Sequence, residues 1–217
     1  FLLIVLLIVP LMVRAQLNVT NGQVSGNGAD YFVNNVLLGS GVTAFNITFS
    51  GDSNQIGEYS QTGTNLGIPS GVIIGTGNVD LASDSNNNSG ATLDGGNFGA
   101  SDPDLAQLVS ATLNDAAILE FDFVPQGDSL KFKYVFGSEE YNNFVCSGFN
   151  DVFGFFLSGP GITGPYTNGA INIALIPGTT TPVAINNVNE GFTNTFGGLP
   201  APCTIGTNNC PCNSAYF

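Results

Sequence analysis

The chain has 217 residues, 43% of them hydrophobic, with 29 glycines and 11 prolines, enough for one sizeable core and most simply one domain. Only 9% of residues are charged, yet the formal balance is −13 with three basic residues and no histidine. That balance speaks against nucleic acid and anionic lipid headgroups as partners, and it suits cations, neutral sugars and basic proteins. Without histidine, the Ser-His-Asp, Cys-His and H-E-x-x-H arrangements are also removed.

In chain order, Phe1 to Leu11 is almost wholly aliphatic and Val13-Arg14-Ala15 leads into Gln16. The run is short for a bilayer span and Ala15 suits a cleavage site, so residues 1–15 read as a secretory signal. The expected basic n-region is missing, since the sequence opens on Phe1 without Met. No second apolar run follows, so the mature chain, 16–217, is expected to be secreted with no membrane span.

Residues 29–38 place Tyr31, Phe32, Val36 and Leu37 near helical spacing ahead of Gly39, predicting a short helix. Thr43, Phe45, Ile47 and Phe49 alternate as a strand, and Val72-Ile73-Ile74 is a brief apolar run between glycines. Asp84-Ser85-Asn86-Asn87-Asn88 resembles the first half of an EF-hand loop. Ser89 and Gly95 stand where its glycine and closing glutamate belong, so it reads as a plain loop. SDPDLAQLVS (101–110) predicts a second helix, capped by Ser101 or Asp102 with Pro103 in the first turn.

A hairpin is predicted from 117–124 and 130–136 across Pro125-Gln126-Gly127-Asp128. Its register sets Glu120 opposite Lys133 and Asp122 opposite Lys131. Val152–Leu157, Ile171–Ile176 and Val183–Val188 supply further strands. Short strands, Gly/Pro/Asn turns and two short helices predict a mainly β chain, a β-sandwich of jelly-roll type. The chain stops in what reads as a strand just starting, so the sandwich is expected to be incomplete at its C-terminal end.

Four cysteines, Cys146, Cys203, Cys210 and Cys212, agree with an oxidising compartment and a disulfide framework. A Cys210–Cys212 bond would be strained across Pro211, leaving Cys146 paired with Cys210 or Cys212 and Cys203 with the other. Either choice ties the loop around Cys146 to the C-terminal segment.

Chemistry concentrates in YVFGSEEYNNFVCSGFNDVFGFFLSG (134–159). Glu139, Glu140, Asn150 and Asp151 offer oxygen ligands for calcium. Tyr141, Asn142, Asn143 and Phe144 form a candidate ligand-binding loop beside them. Phe149, Phe153, Phe155 and Phe156 read as core at strand spacing, with Tyr141 and Phe144 better placed for exposure. Glu139 and Glu140 are adjacent and point to opposite faces of an extended backbone, so only one can join a glycosidase-like pair.

This segment, with NVLLGSGVTAFNITFSG (35–51), NLGIPSGVIIGTGNV (65–79), SDPDLAQL (101–108) and NIALIPGTTTPVAINNVN (172–189), resembles the choice-of-anchor L domain. The resemblance runs in order from about residue 16 to the last. It implies a secreted or surface-attached module of Bacteroidota-type bacteria, with its anchor or sorting region beyond residue 217. The reading taken forward is a non-catalytic secreted or cell-surface module for adhesion or ligand binding, stabilised by calcium and contacting glycans or cell-surface proteins. Its alternative is a carbohydrate-active hydrolase using paired carboxylates.

Overall fold

The computed structural model describes residues 16–83, 101–110, 112–141, 143–193, 201–202 and 212–217. The segment 1–15 expected as a signal, the polar stretch 84–90, Asn142, Cys203 and Cys210 lie outside the described residues.

The chain is mainly β, built of several antiparallel sheets with a few short helical turns, consistent with a β-sandwich. β1 (Gln16–Asn21), β3 (Ile56–Thr62) and β4 (Ser70–Ile74) form a three-stranded sheet with β3 central. Gly57 lies opposite Asn21 in that sheet, and a Cβ there would stand 2.5 Å from the Thr20 carbonyl oxygen. Only glycine allows β1 to close this tightly on β3.

Between β1 and β2 the chain makes two helical segments. Asn21 caps the turn Gly22–Ser25 by accepting from the Val24 N–H, and Gly26 ends it in the left-handed region at φ 72°. The helix expected at 29–38 is present, as Ala29–Tyr31 continuing into a π-helical stretch, Phe32–Leu37. It buries Phe32 and Val33 completely, and Ile56 and Val79 are buried as well.

β2 (Val42–Ser50) pairs antiparallel with β5 (Ile118–Pro125), interrupted by a bulge between Phe45 and Thr48. Asn46 takes φ 53° at the bulge, and its amide reaches Asp122 at 2.7 Å. This pairing replaces the predicted hairpin. β5 lies on β2 rather than on 130–136, which forms no strand. Glu120 stands opposite Thr48, and Asp122 opposite Phe45, so the anticipated lysine register is not made. The alternation in 130–136 is real but serves another surface. Phe132 meets Phe155 at 4.6 Å between ring centroids, and Tyr134 meets Phe153 at 5.1 Å. Aromatic pairs are worth about 0.5–1.5 kcal/mol beyond burial, so two of them outweigh two exposed ion pairs.

The predicted second helix shrinks to one 3-10 turn, Leu105–Gln107. Asp102 does cap it, accepting from the Asp104 and Leu105 N–H groups at 2.9 and 2.7 Å. Asp104, nearly buried, turns instead to the Thr167 N–H at 3.1 Å. A single turn gains little by itself, so this tertiary contact sets its length.

The second half is made of short pairs. β6 (Val152–Phe153) pairs with β9 (Val183–Ala184), and β7 (Phe156–Leu157) with β8 (Ile171–Asn172). β10 (Phe192–Thr193) pairs with β11 (Ala201–Pro202). The strand expected over Val183–Val188 stops after Ala184, whose carbonyl accepts from the Asn187 and Val188 N–H groups. The asparagines here compete for backbone partners and turn the chain. The turn is nonetheless buried: Ile185 and Asn189 are fully inaccessible, and Ile185 with Val145 centres a small core touched by Phe136, Tyr141, Cys146 and Cys212.

Candidate functional site

The segment 138–151 forms a looped rim above that core. At its base, the Ser138 hydroxyl donates to Asp151 Oδ2 at 2.6 Å and accepts from the Glu140 N–H at 3.0 Å. The Phe144 N–H donates to the Glu140 carbonyl at 2.9 Å, and the Ser147 N–H to the Phe144 carbonyl at 3.0 Å. Two consecutive turns therefore lead from the acids to Cys146, which takes φ 62°. A non-glycine residue there costs about 1–2 kcal/mol unless its surroundings hold it.

Asn186 supplies the hold. Its Oδ1 accepts from the Cys146 N–H at 2.6 Å, its Nδ2 donates to the Ser147 carbonyl at 3.1 Å, and its N–H donates to Asn150 Oδ1 at 3.0 Å. One side chain and one peptide group thus span both limbs of the rim. Tyr141 pins the inner side. Its hydroxyl donates to the Val188 carbonyl, and its ring meets Phe136 and Phe217 edge-on at 6.4 and 4.9 Å. Asn213 Nδ2 donates to the Asn187 carbonyl and the Asn189 N–H to that of Cys212, so the C-terminal segment packs against the rim.

The outward group of the rim is Phe149, 62% exposed and braced by Phe144 in a T-shaped contact at 5.1 Å. Tyr141 and Phe144 are half-buried, as is Asn143. Phe149 thus departs from the core position expected of it, while Phe153, Phe155 and Phe156 are half-buried, each against another aromatic ring.

Glu140, Glu139 and Asp151 act on one another. Burial first, then the Asp151 and Glu139 charges, push the Glu140 carboxyl above the ordinary carboxylate range. Its Oε2 is buried and accepts no hydrogen bond. Burial, then the Asp151 charge, also raises the Tyr141 phenol well above its usual range, keeping it a neutral donor to Val188.

A carboxyl whose folded pKa is raised binds its proton more tightly in the folded state. Its stabilising effect is whole below the unfolded value and is lost as pH rises through the raised one. Glu140→Gln is therefore expected to melt higher than the parent at neutral pH in calcium-free buffer, the two curves converging below the ordinary carboxylate range. Thermal melts across pH check it; a glutamine variant less stable at every pH would contradict it.

Of the four oxygen donors expected for calcium, Asn150 already accepts from Asn186 and Asp151 from Ser138. Among the described residues, no group of three or more acidic or cysteine side chains is arranged to hold a metal ion. Cys146 and Cys212 border the same core. The residues that sequence reasoning missed are Ser138, Asn186 and Val188. The run Asn186-Asn187-Val188-Asn189, polar where a strand core was expected, was the available signal.

Antiparallel sheets thus carry a loop rim that bears Glu139, Glu140 and Asp151 and an exposed Phe149. Among the described residues, no helix is long and apolar enough to cross a membrane. The model of the choice-of-anchor L domain matches residues 19–217, and the chain belongs to that family. It is not an enzyme family, and its membership makes this a surface-associated module. No curated protein and no solved structure matches the chain.

Proposed function

We propose that this chain is a non-catalytic adhesion module that engages a surface protein of another cell through the rim at 138–151. The supporting observation is Phe149: a large aromatic, 62% exposed, on a loop otherwise hydrogen-bonded into place. Rigid exposed aromatics are the side chains that most often anchor interfaces. The acids around it, within a chain of formal charge −13, select a basic face on the partner and speed encounter. Neither the family nor the rim geometry supports the hydrolase alternative.

The test is binding of the labelled chain to intact bacterial cells. The binding that depends on Phe149 should weaken as salt rises and vanish after protease treatment of the cells. Phe149-dependent binding that survives protease but falls after periodate oxidation would assign the rim to glycans and defeat the protein-partner reading.

Calcium belongs to the same proposal as a stabiliser of the rim. The orphan Glu140 Oε2 beside Asp151 and Glu139 is its support. Melting temperatures at neutral pH should rise with millimolar calcium and fall with chelator; no shift removes calcium from the account. Joining of Cys146 to the C-terminal cysteines is likewise proposed, on the packing of 212–217 against the rim.

A further inference from the structure

A second concavity, on different elements, is lined by polar side chains of the β1-β3-β4 sheet and by the helix that follows β1. Its volume is about 420 Å³, within the range of about 300–1,000 Å³ typical of small-molecule sites. We infer that this groove binds a neutral saccharide.

The register builds its floor. Asn18 lies opposite Ser60, and Ser60 opposite Ser70, in one row across three strands; Thr20 lies opposite Glu58 in the next. Residues two apart share a face, so amide, hydroxyl and carboxylate groups point the same way. The wall comes from Tyr31 and Asn35, one helical turn apart, with Asn35 Nδ2 donating to the Tyr31 carbonyl at 3.1 Å. The Tyr31 hydroxyl stands 3.5 Å from Glu58 Oε2, at the far limit of a hydrogen bond, which leaves both groups capacity for a ligand.

The chemistry chooses among ligands. Among the described residues the basic side chains are Lys131 and Lys133, and neither lines the groove, so phosphate, sulfate and uronate groups find no counter-charge there. A single carboxylate is too little for a cation that takes six to eight oxygens. Val36 is the only aliphatic side chain in the lining, which disfavours a lipid chain. A polyhydroxylated neutral ring uses what remains: donors and acceptors at fixed spacing, with the aromatic Tyr31 for its C–H groups.

The test uses the full chain, made in a host that leaves the Asn18-Val19-Thr20 sequon unmodified, against immobilised gluco-, manno-, galacto- and xylo-oligosaccharides with anionic oligosaccharides as controls. At least one neutral series should bind and the anionic ones should not. Glu58→Gln should weaken binding about tenfold or more, the usual loss for a hydrogen bond to a charged group. Ser60→Arg, which fills the groove from an exposed position, should abolish it with the melting temperature retained. Phe149→Ala should leave it unchanged, which separates this site from the rim. No binding by any neutral series, binding that survives both groove variants, or loss with Phe149→Ala would overturn the inference.

Discussion

Gln55→Ala is expected to cost about 3–5 kcal/mol of folding stability, read as a lowered denaturant midpoint at unchanged slope. Gln55 is wholly buried, and its amide ties three loops together. Nε2 donates to the Thr76 and Asp115 carbonyls at 3.1 and 2.9 Å, while Oε1 accepts from the Asp52 N–H at 2.7 Å. Alanine strips three backbone groups of this partner and leaves a cavity at a fully buried position. Since a domain holds about 5–15 kcal/mol in all, this one substitution takes a large share. The neighbouring hub behaves alike, for Asn21 Nδ2 donates to both Asn54 and Asn78 and its N–H to Asp80. A loss below about 1 kcal/mol for Gln55→Ala would show that these loops are held by something other than the buried amides.

Asn186→Ala is the second large effect, about 2–4 kcal/mol, and it should be local as well as global. The substitution removes the Asn186 hydrogen bonds to the Cys146 N–H and the Ser147 carbonyl together. It also removes the contact that keeps Cys146 at φ 62°. Hydrogen exchange should therefore quicken through 143–150 more than in the β1-β3-β4 sheet. Asn186→Asp separates the roles, because it keeps the acceptor for Cys146 and loses the donor to Ser147. Uniform exchange changes across the chain would contradict the assignment of Asn186 as the brace of the rim.

Much of this architecture was legible in the residues. Strand alternation around Phe45 and Phe121, the helix at 29–38, the Asp102 cap and the aromatic support behind the rim all follow from local pattern. Partner choice was less legible. The pattern in 130–136 defines an apolar face but not what covers it, and weak charge pairs pointed to β5 when Phe153 and Phe155 were the true neighbours. Asparagine roles were hidden for a related reason. An Asn in an apolar run may cap, turn or brace, and only the three-dimensional position of Cys146 and Ser147 shows that Asn186 braces. The groove beneath Tyr31 was invisible because its rows join β1 to β3 and β4, with Asn18 and its partner Ser60 42 residues apart in sequence.

The acids illustrate the limit from the other side. Burial, then the Asp151 and Glu139 charges, raises the Glu140 carboxyl. Their separate hydrogen bonds were not foreseeable, because Ser138 carries no motif that distinguishes a brace from a solvated hydroxyl.

The whole functional account turns on an aromatic side chain presented by a stiff acidic loop. Its direct measurement is the affinity of parent and Phe149→Ala chains for intact cells at matched fold stability. Loss of a buried aromatic anchor predicts a drop of about tenfold or more with the melting temperature kept. Equal affinity for the two chains would place the contact surface elsewhere and end the adhesive role of the rim.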